Sequence, residues 1–180
     1  MKGVVFTEFL HFVQQRFGEN MVDDIIESST LPSGGAYTTV GTYSHDEMVA
    51  LCSALARHTG APVHGLVRDF GQFLSGSFAA SHPDYFARAA SLFDFLESIE
   101  GHIHVDVHKL YPQAELPQFD VEERSIVRMV MLYHSPRRMA DLAEGLIIGS
   151  AAKFGVGVRV QAAPIEGSDG TATRFTIELV

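Results

Sequence analysis

Tyr133-His134-Ser135-Pro136-Arg137 sets a phenol, a hydroxyl and a guanidinium at alternate positions. In an extended segment that spacing puts all three on one face. The array offers hydroxyl donors and one permanent positive charge, which suits a partner bearing carboxylates. Upstream runs His102-Ile103-His104-Val105-Asp106-Val107-His108-Lys109-Leu110-Tyr111-Pro112. Imidazole is a common metal ligand. A carboxylate clamp with a histidine ligand is the chemistry of a haem pocket, with the propionates on the clamp and the iron on the imidazole.

Composition allows this reading. A chain of 180 residues is expected to form one domain with room for a large cofactor. Apolar residues make up 46% and charged ones 19%, so a packed core is expected and global disorder is not. A formal net charge of −9, with Arg137-Arg138 as no more than a basic pair, speaks against nucleic acid or an anionic membrane as partner. The single cysteine, Cys52, excludes an internal disulfide and fits a reducing compartment. Thr7 and Glu8 interrupt the apolar start, so neither a signal peptide nor a membrane span is expected, and the localisation implied is cytoplasmic.

Outward from these motifs, the first hundred residues read as helical. Val5, Phe6, Phe9, Leu10, Phe12, Val13 and Phe17 recur near helical spacing, and Gly18 ends the run. Further helices are predicted over 22–26, 44–55, 62–73 and 83–99. Ser44 with Glu47 forms a capping box, and Pro83 sits in a first turn. Residues 29–43 carry turn chemistry. Beyond Pro112 strands are predicted over 119–121, 126–133, 156–162 and 173–180, with a long helix over 139–154 and a hairpin loop over 166–170. The fold class is therefore α+β, a helical N-terminal half plus a C-terminal antiparallel sheet with a long helix. Residues 101–111 fit a strand through Ile103, Val105 and Val107, or a helix through Ile103, Val107 and Leu110, and periodicity does not decide.

The histidine cluster admits three readings. His102, His104, Asp106 and His108 could be solvated polar residues of a cofactor-free interaction module. They could hold zinc in a hydrolase resembling the metallo-β-lactamase family, although Val107 separates Asp106 from the final histidine where that pattern has no spacer, and only His134 follows as a further ligand. Or one of them ligates haem iron.

Tyr133-x-Ser135-x-Arg137, preceded by His104, Leu110-Tyr111-Pro112 and Pro117, resembles the H-NOX family, the haem nitric oxide/oxygen binding domains related to the haem domain of soluble guanylate cyclase. The resemblance spans essentially the whole chain. It implies one domain over 1–180, with an N-terminal helical subdomain (1–60) and a haem-cradling α+β subdomain (61–180). The cofactor it implies is haem b, with Tyr133, Ser135 and Arg137 on the propionates. The proximal ligand falls on His104, six residues before the Leu-Tyr-Pro step, and on a helix. Pro117 matches a proline that presses on the macrocycle. The face left open for a gas is expected between Val5 and Phe9 of the first helix, Leu74 and Phe78 of the fourth, and Leu142 and Leu146 of the long C-terminal helix.

Oxygen-binding members place a tyrosine where this chain has Leu142, and no tyrosine lies between Met139 and Val180. The resemblance thus implies a sensor of nitric oxide, also taking carbon monoxide, and not an enzyme. Nitric oxide is expected to break the bond to His104, and relief of bending against Pro117 and Val5 to shift the N-terminal helices. The partner in trans is expected to be a histidine kinase or a cyclic-di-GMP synthase or phosphodiesterase. A cysteine-rich zinc site found in some members is not expected, since the C-terminal region has no cysteine. Cys52 reads as a small apolar helix residue.

Overall fold

The computed structural model describes all 180 residues. The chain runs α1 (Gly3–Phe17), α2 (Glu19–Glu27), α3 (His45–Thr59), α4 (Val63–Ser81), α5 (Pro83–Ala87), α6 (Leu92–Ser98), a π turn (Ile99–Ile103), α7 (His104–Leu110), β1 (Gln118–Arg124), β2 (Arg128–His134), α8 (Ala140–Lys153), β3 (Val158–Pro164) and β4 (Ala172–Leu179). The four strands form one antiparallel sheet in the order β1-β2-β4-β3. This is the α+β architecture expected from the sequence.

Two hydrophobic clusters hold the molecule together. The first is formed by α1 to α4 and centres on Phe6, Phe9, Phe12, Met48, Leu51, Leu55 and Phe70. Its aromatic rings meet mostly edge-on or tilted, with Phe6 stacked on Tyr37 at 4.5 Å; Phe9 and Phe70 cross at 84° with centroids 5.1 Å apart. Cys52 is packed there, and burial pushes its thiol up to about 12, so it is an inert apolar group. The second cluster joins the inner face of the sheet (Met129, Met131, Tyr133, Phe175, Ile177) to Phe86, Phe93, Phe95 and Leu96. The other sheet face is polar, and Arg174 forks onto the Glu122 carboxylate there at 2.6 and 3.0 Å.

Helix α8 lies between the clusters. Leu142 and Leu146 pack on the first, while Ala143, Ile147 and Ala151 are buried in the second. A helix with apolar residues on two faces needs two cores to cover it. It reaches α4 through small residues. A Cβ on Gly145 would stand 2.1 Å from the Arg68 carbonyl oxygen, and one on Gly71 2.5 Å from that of Leu142. The Ser75 and Ser150 hydroxyls meet across the same seam at 3.1 Å, and Arg68 pairs with the nearly buried Glu144 at 3.0 Å.

Some boundaries differ from those predicted. Helix α4 runs to Ser81, beyond 73, because Gly71 and Ser75, poor helix formers alone, pack along the α8 seam. The single helix expected over 83–99 is broken. Ser91 caps a new helix by accepting from the Asp94 amide, and the chain turns before it. Ser44 does cap α3, through the Asp46 amide, but the capping box with Glu47 is absent. Glu47 is instead buried and accepts from the Ser33 amide and hydroxyl and from the Tyr37 hydroxyl, fastening the 28–44 loop.

Candidate functional site

Strand β2 delivers Tyr133 to the inner face of the sheet, 2% exposed, while its neighbour His134 points to solvent. The strand ends there, so Ser135 and Arg137 do not continue an extended face as the sequence spacing suggested. A turn takes its place. The Ser135 hydroxyl accepts from the Arg137 amide at 3.2 Å, and the Arg138 amide donates to the Ser135 carbonyl. The turn folds the three groups together: burial raises the Tyr133 phenol, with the Ser135 hydroxyl, the Met139 backbone and the Arg137 guanidinium close enough to oppose the shift. Arg137 is itself largely buried. Its guanidinium donates to the Glu115 carbonyl oxygen and, at 3.0 Å, to the Glu115 carboxylate. A carboxylate on this guanidinium is the arrangement a propionate would need.

The ambiguous segment is helical. A π turn over Ile99–Ile103 leads into α7, whose first residue is His104. Its ring is 14% exposed, and its Nδ1 lies 2.9 Å from Glu100 Oε1. Burial lowers the His104 pKa against the opposing pull of Glu100, which favours the neutral imidazole a metal requires. With Nδ1 on a carboxylate, Nε2 carries the lone pair. Phe119 lies between this ring and the clamp, with centroids 6.1 Å from His104 and 5.5 Å from Tyr133. Pro117, half-buried, immediately precedes β1.

The other histidines do not join His104. His102 and His108 are exposed, and Asp106 is taken by Lys109 at 2.9 Å and Tyr85 at 3.2 Å. No group of three or more His, Cys, Asp or Glu side chains is placed to hold a metal ion, so the zinc-hydrolase alternative is not favoured. The six apolar residues Val5, Phe9, Leu74, Phe78, Leu142 and Leu146 all pack into or against the first cluster. Phe9 and Leu74 are fully inside, and the other four remain partly exposed.

A family model described as Haem-NO-binding matches residues 2–162. The chain belongs to this H-NOX family. No protein among those with curated functions matches it. Solved structures do. The Fe(II) unliganded H-NOX protein of K. algicida is 38% identical, with a TM-score of 0.94 over 100% of this chain and 97% of that one. The IWP-051-bound H-NOX of Shewanella woodyi, in its Fe(II)CO state, is 36% identical with a TM-score of 0.84, covering 100% and 95%. An S. oneidensis H-NOX in the Fe(II)NO state is 26% identical with a TM-score of 0.90, covering 100% and 99%.

The family is one of haem-based gas sensors, and this H-NOX domain has the side chains that role needs. Its donor set fits the cofactor: a neutral, half-enclosed imidazole with a free Nε2, a guanidinium already receiving a carboxylate, and apolar side chains left partly uncovered. No helix is long and apolar enough to cross a membrane. Sequence reasoning missed two residues of the site, Glu100 and Glu115. The first could have been found from its i,i+4 spacing to His104. The second carried no signal, because only the fold brings it to Arg137.

Proposed function

We propose that this H-NOX domain senses nitric oxide through ferrous haem b and regulates a separate signalling protein. When bound, haem supplies an iron with one face for a protein ligand and one for a gas. His104 would hold the first face through Nε2, while Tyr133, Ser135 and Arg137 would hold the propionates, Arg137 exchanging Glu115 for them. Pro117 and Val5 would press on the ring from the two sides.

The single observation that carries the reading is the joining of a neutral, ligand-ready His104 to the Tyr133–Arg137 clamp through Phe119. With haem bound, His104 would be the ligand that nitric oxide displaces. Its release would free α7 and the side chains of Pro117 and Val5 to shift, a two-state change that a partner could read. Selectivity comes from the distal side chains. Val5, Phe9, Leu74, Phe78, Leu142 and Leu146 carry no hydrogen-bond donor, so nitric oxide and carbon monoxide bind while oxygen, which needs one, is rejected. The partner in trans is a histidine kinase or a cyclic-di-GMP synthase or phosphodiesterase. The setting is the cytoplasm, which a lone reduced Cys52 suits.

Leu142→Tyr tests the selectivity. In air the reduced wild-type protein should oxidise without holding oxygen, and the variant should hold it measurably longer. A wild-type protein that keeps oxygen stably would refute the donor-free pocket.

A further inference from the structure

Glu100 does something that ligation and clamping leave unexplained. One carboxylate oxygen, Oε1, accepts two hydrogen bonds, from the His104 Nδ1–H at 2.9 Å and from the Phe119 amide at 2.9 Å. These partners lie on α7 and on β1, so the oxygen is pinned between two elements and the imidazole is pinned by the oxygen. Glu100 itself sits in the π turn of Ile99–Ile103, which leads directly into His104, and such insertions recur at functional sites. No lysine or arginine pairs with Glu100; His104 is its only ion-pair partner.

We propose that Glu100 is a positioning residue that aims His104 and makes it a stronger electron donor, so that it sets how readily this ligand is released. The proposal rests on the reading of His104 as the iron ligand. An ionised carboxylate is an acceptor only, so the proton of the neutral ring must sit on Nδ1 and the lone pair on Nε2. Negative charge on Nδ1–H also draws that proton outward and raises the basicity of Nε2, as carboxylate–histidine–metal arrangements do generally. Glu100 is 39% exposed, so water screens part of this effect, while the ring it holds is 14% exposed. Glu100 therefore opposes the step that nitric oxide drives. It acts as the brake on His104 release.

Glu100→Gln separates charge from position. Its amide oxygen can accept from both His104 and Phe119, whereas Glu100→Ala removes both acceptors. Haem-loaded wild type, Glu100→Gln, Glu100→Ala and His104→Gly would be compared by resonance Raman of the iron–histidine stretch, by midpoint potential, and by the rate of histidine loss after nitric oxide. The expectation for Glu100→Gln is retained haem, a lower stretching frequency, a higher potential and histidine loss faster by about tenfold. Glu100→Ala should also lose haem affinity by roughly 10–100-fold, the range seen for such supporting partners. If Glu100→Gln matches wild type in stretch, potential and release rate, the proposal is overturned, whether or not Glu100→Ala folds. If instead His104→Gly keeps the iron–histidine band, the ligand assignment fails, a different and separable result.

Discussion

The two hydrophobic clusters each contain 14 buried residues, so they do not differ in the amount of core. They differ in what polar chemistry they admit. The helical cluster holds rings and aliphatic chains, and its buried carboxylate, Glu47, is spent on fastening a loop through Ser33 and Tyr37. The sheet cluster takes Tyr133 into its core. It has Ser135 and Thr173 buried at the strand ends, and His104 and Glu100 half-covered at its rim. Buried polar groups are costly unless satisfied. Glu47 is consumed by partners of one loop and serves the fold, whereas His104 keeps Nε2 open and Arg137 is held by an exposed carboxylate that a ligand could displace.

The sharpest break of this contrast is His104→Gly. Haem retention should be lost and restored by added imidazole, while the helical lobe keeps its structure by circular dichroism. Next is Arg137→Ala. Losing charge-assisted hydrogen bonds of about 1.5–3 kcal/mol should weaken haem retention by roughly 10–100-fold. Glu115→Ala, which removes only the competing carboxylate, should leave retention equal or better, and haem-transfer rates to apomyoglobin would read both.

Gly145→Ala attacks the seam that joins the two lobes. Alanine gains about 1 kcal/mol in helix propensity, but a methyl 2.1 Å from a backbone oxygen forces α4 and α8 apart. The net loss should be about 2 kcal/mol in urea unfolding. The smallest effect belongs to the helical lobe. Burial, with Glu47 beside it, pushes the Tyr37 phenol from 10.0 up to about 12. The folded state thus favours the protonated phenol, and its contribution is complete below pH 10 and lost between pH 10 and 12. Tyr37→Phe should flatten the fall in stability across that window and leave haem spectra unchanged.

Local signals were legible in the sequence. The Tyr133-x-Ser135-x-Arg137 spacing, the apolar rows of α1 and the alternation of β3 and β4 each depend on neighbours a few residues apart. The extended face inferred for the clamp failed because Ser135 hydrogen-bonds the Arg137 amide and bends the chain. Residues 101–111 could not be assigned because Val105, an exposed apolar residue of α7, completes an alternation with Ile103 and Val107 that looks like a strand. The break before α6 was signalled by Ser91 and Asp94 but was hidden by the strong apolar run around it. Glu100 was legible only through its i,i+4 spacing to His104, while its hold on Phe119, the partners of Glu47 and the pairing of Glu115 with Arg137 were beyond reach, since these groups meet only through the fold.

One measurement tests the central claim, that His104 carries a ferrous haem and yields it to nitric oxide. It is the absorption spectrum of the purified, dithionite-reduced protein before and after nitric oxide. The account predicts a Soret band of a haem with one histidine, moving on addition of the gas to the position of a haem that has lost it. A band that moves but keeps a histidine nitrogen would contradict release, and no Soret band in protein expressed with ample haem would contradict the haem site itself.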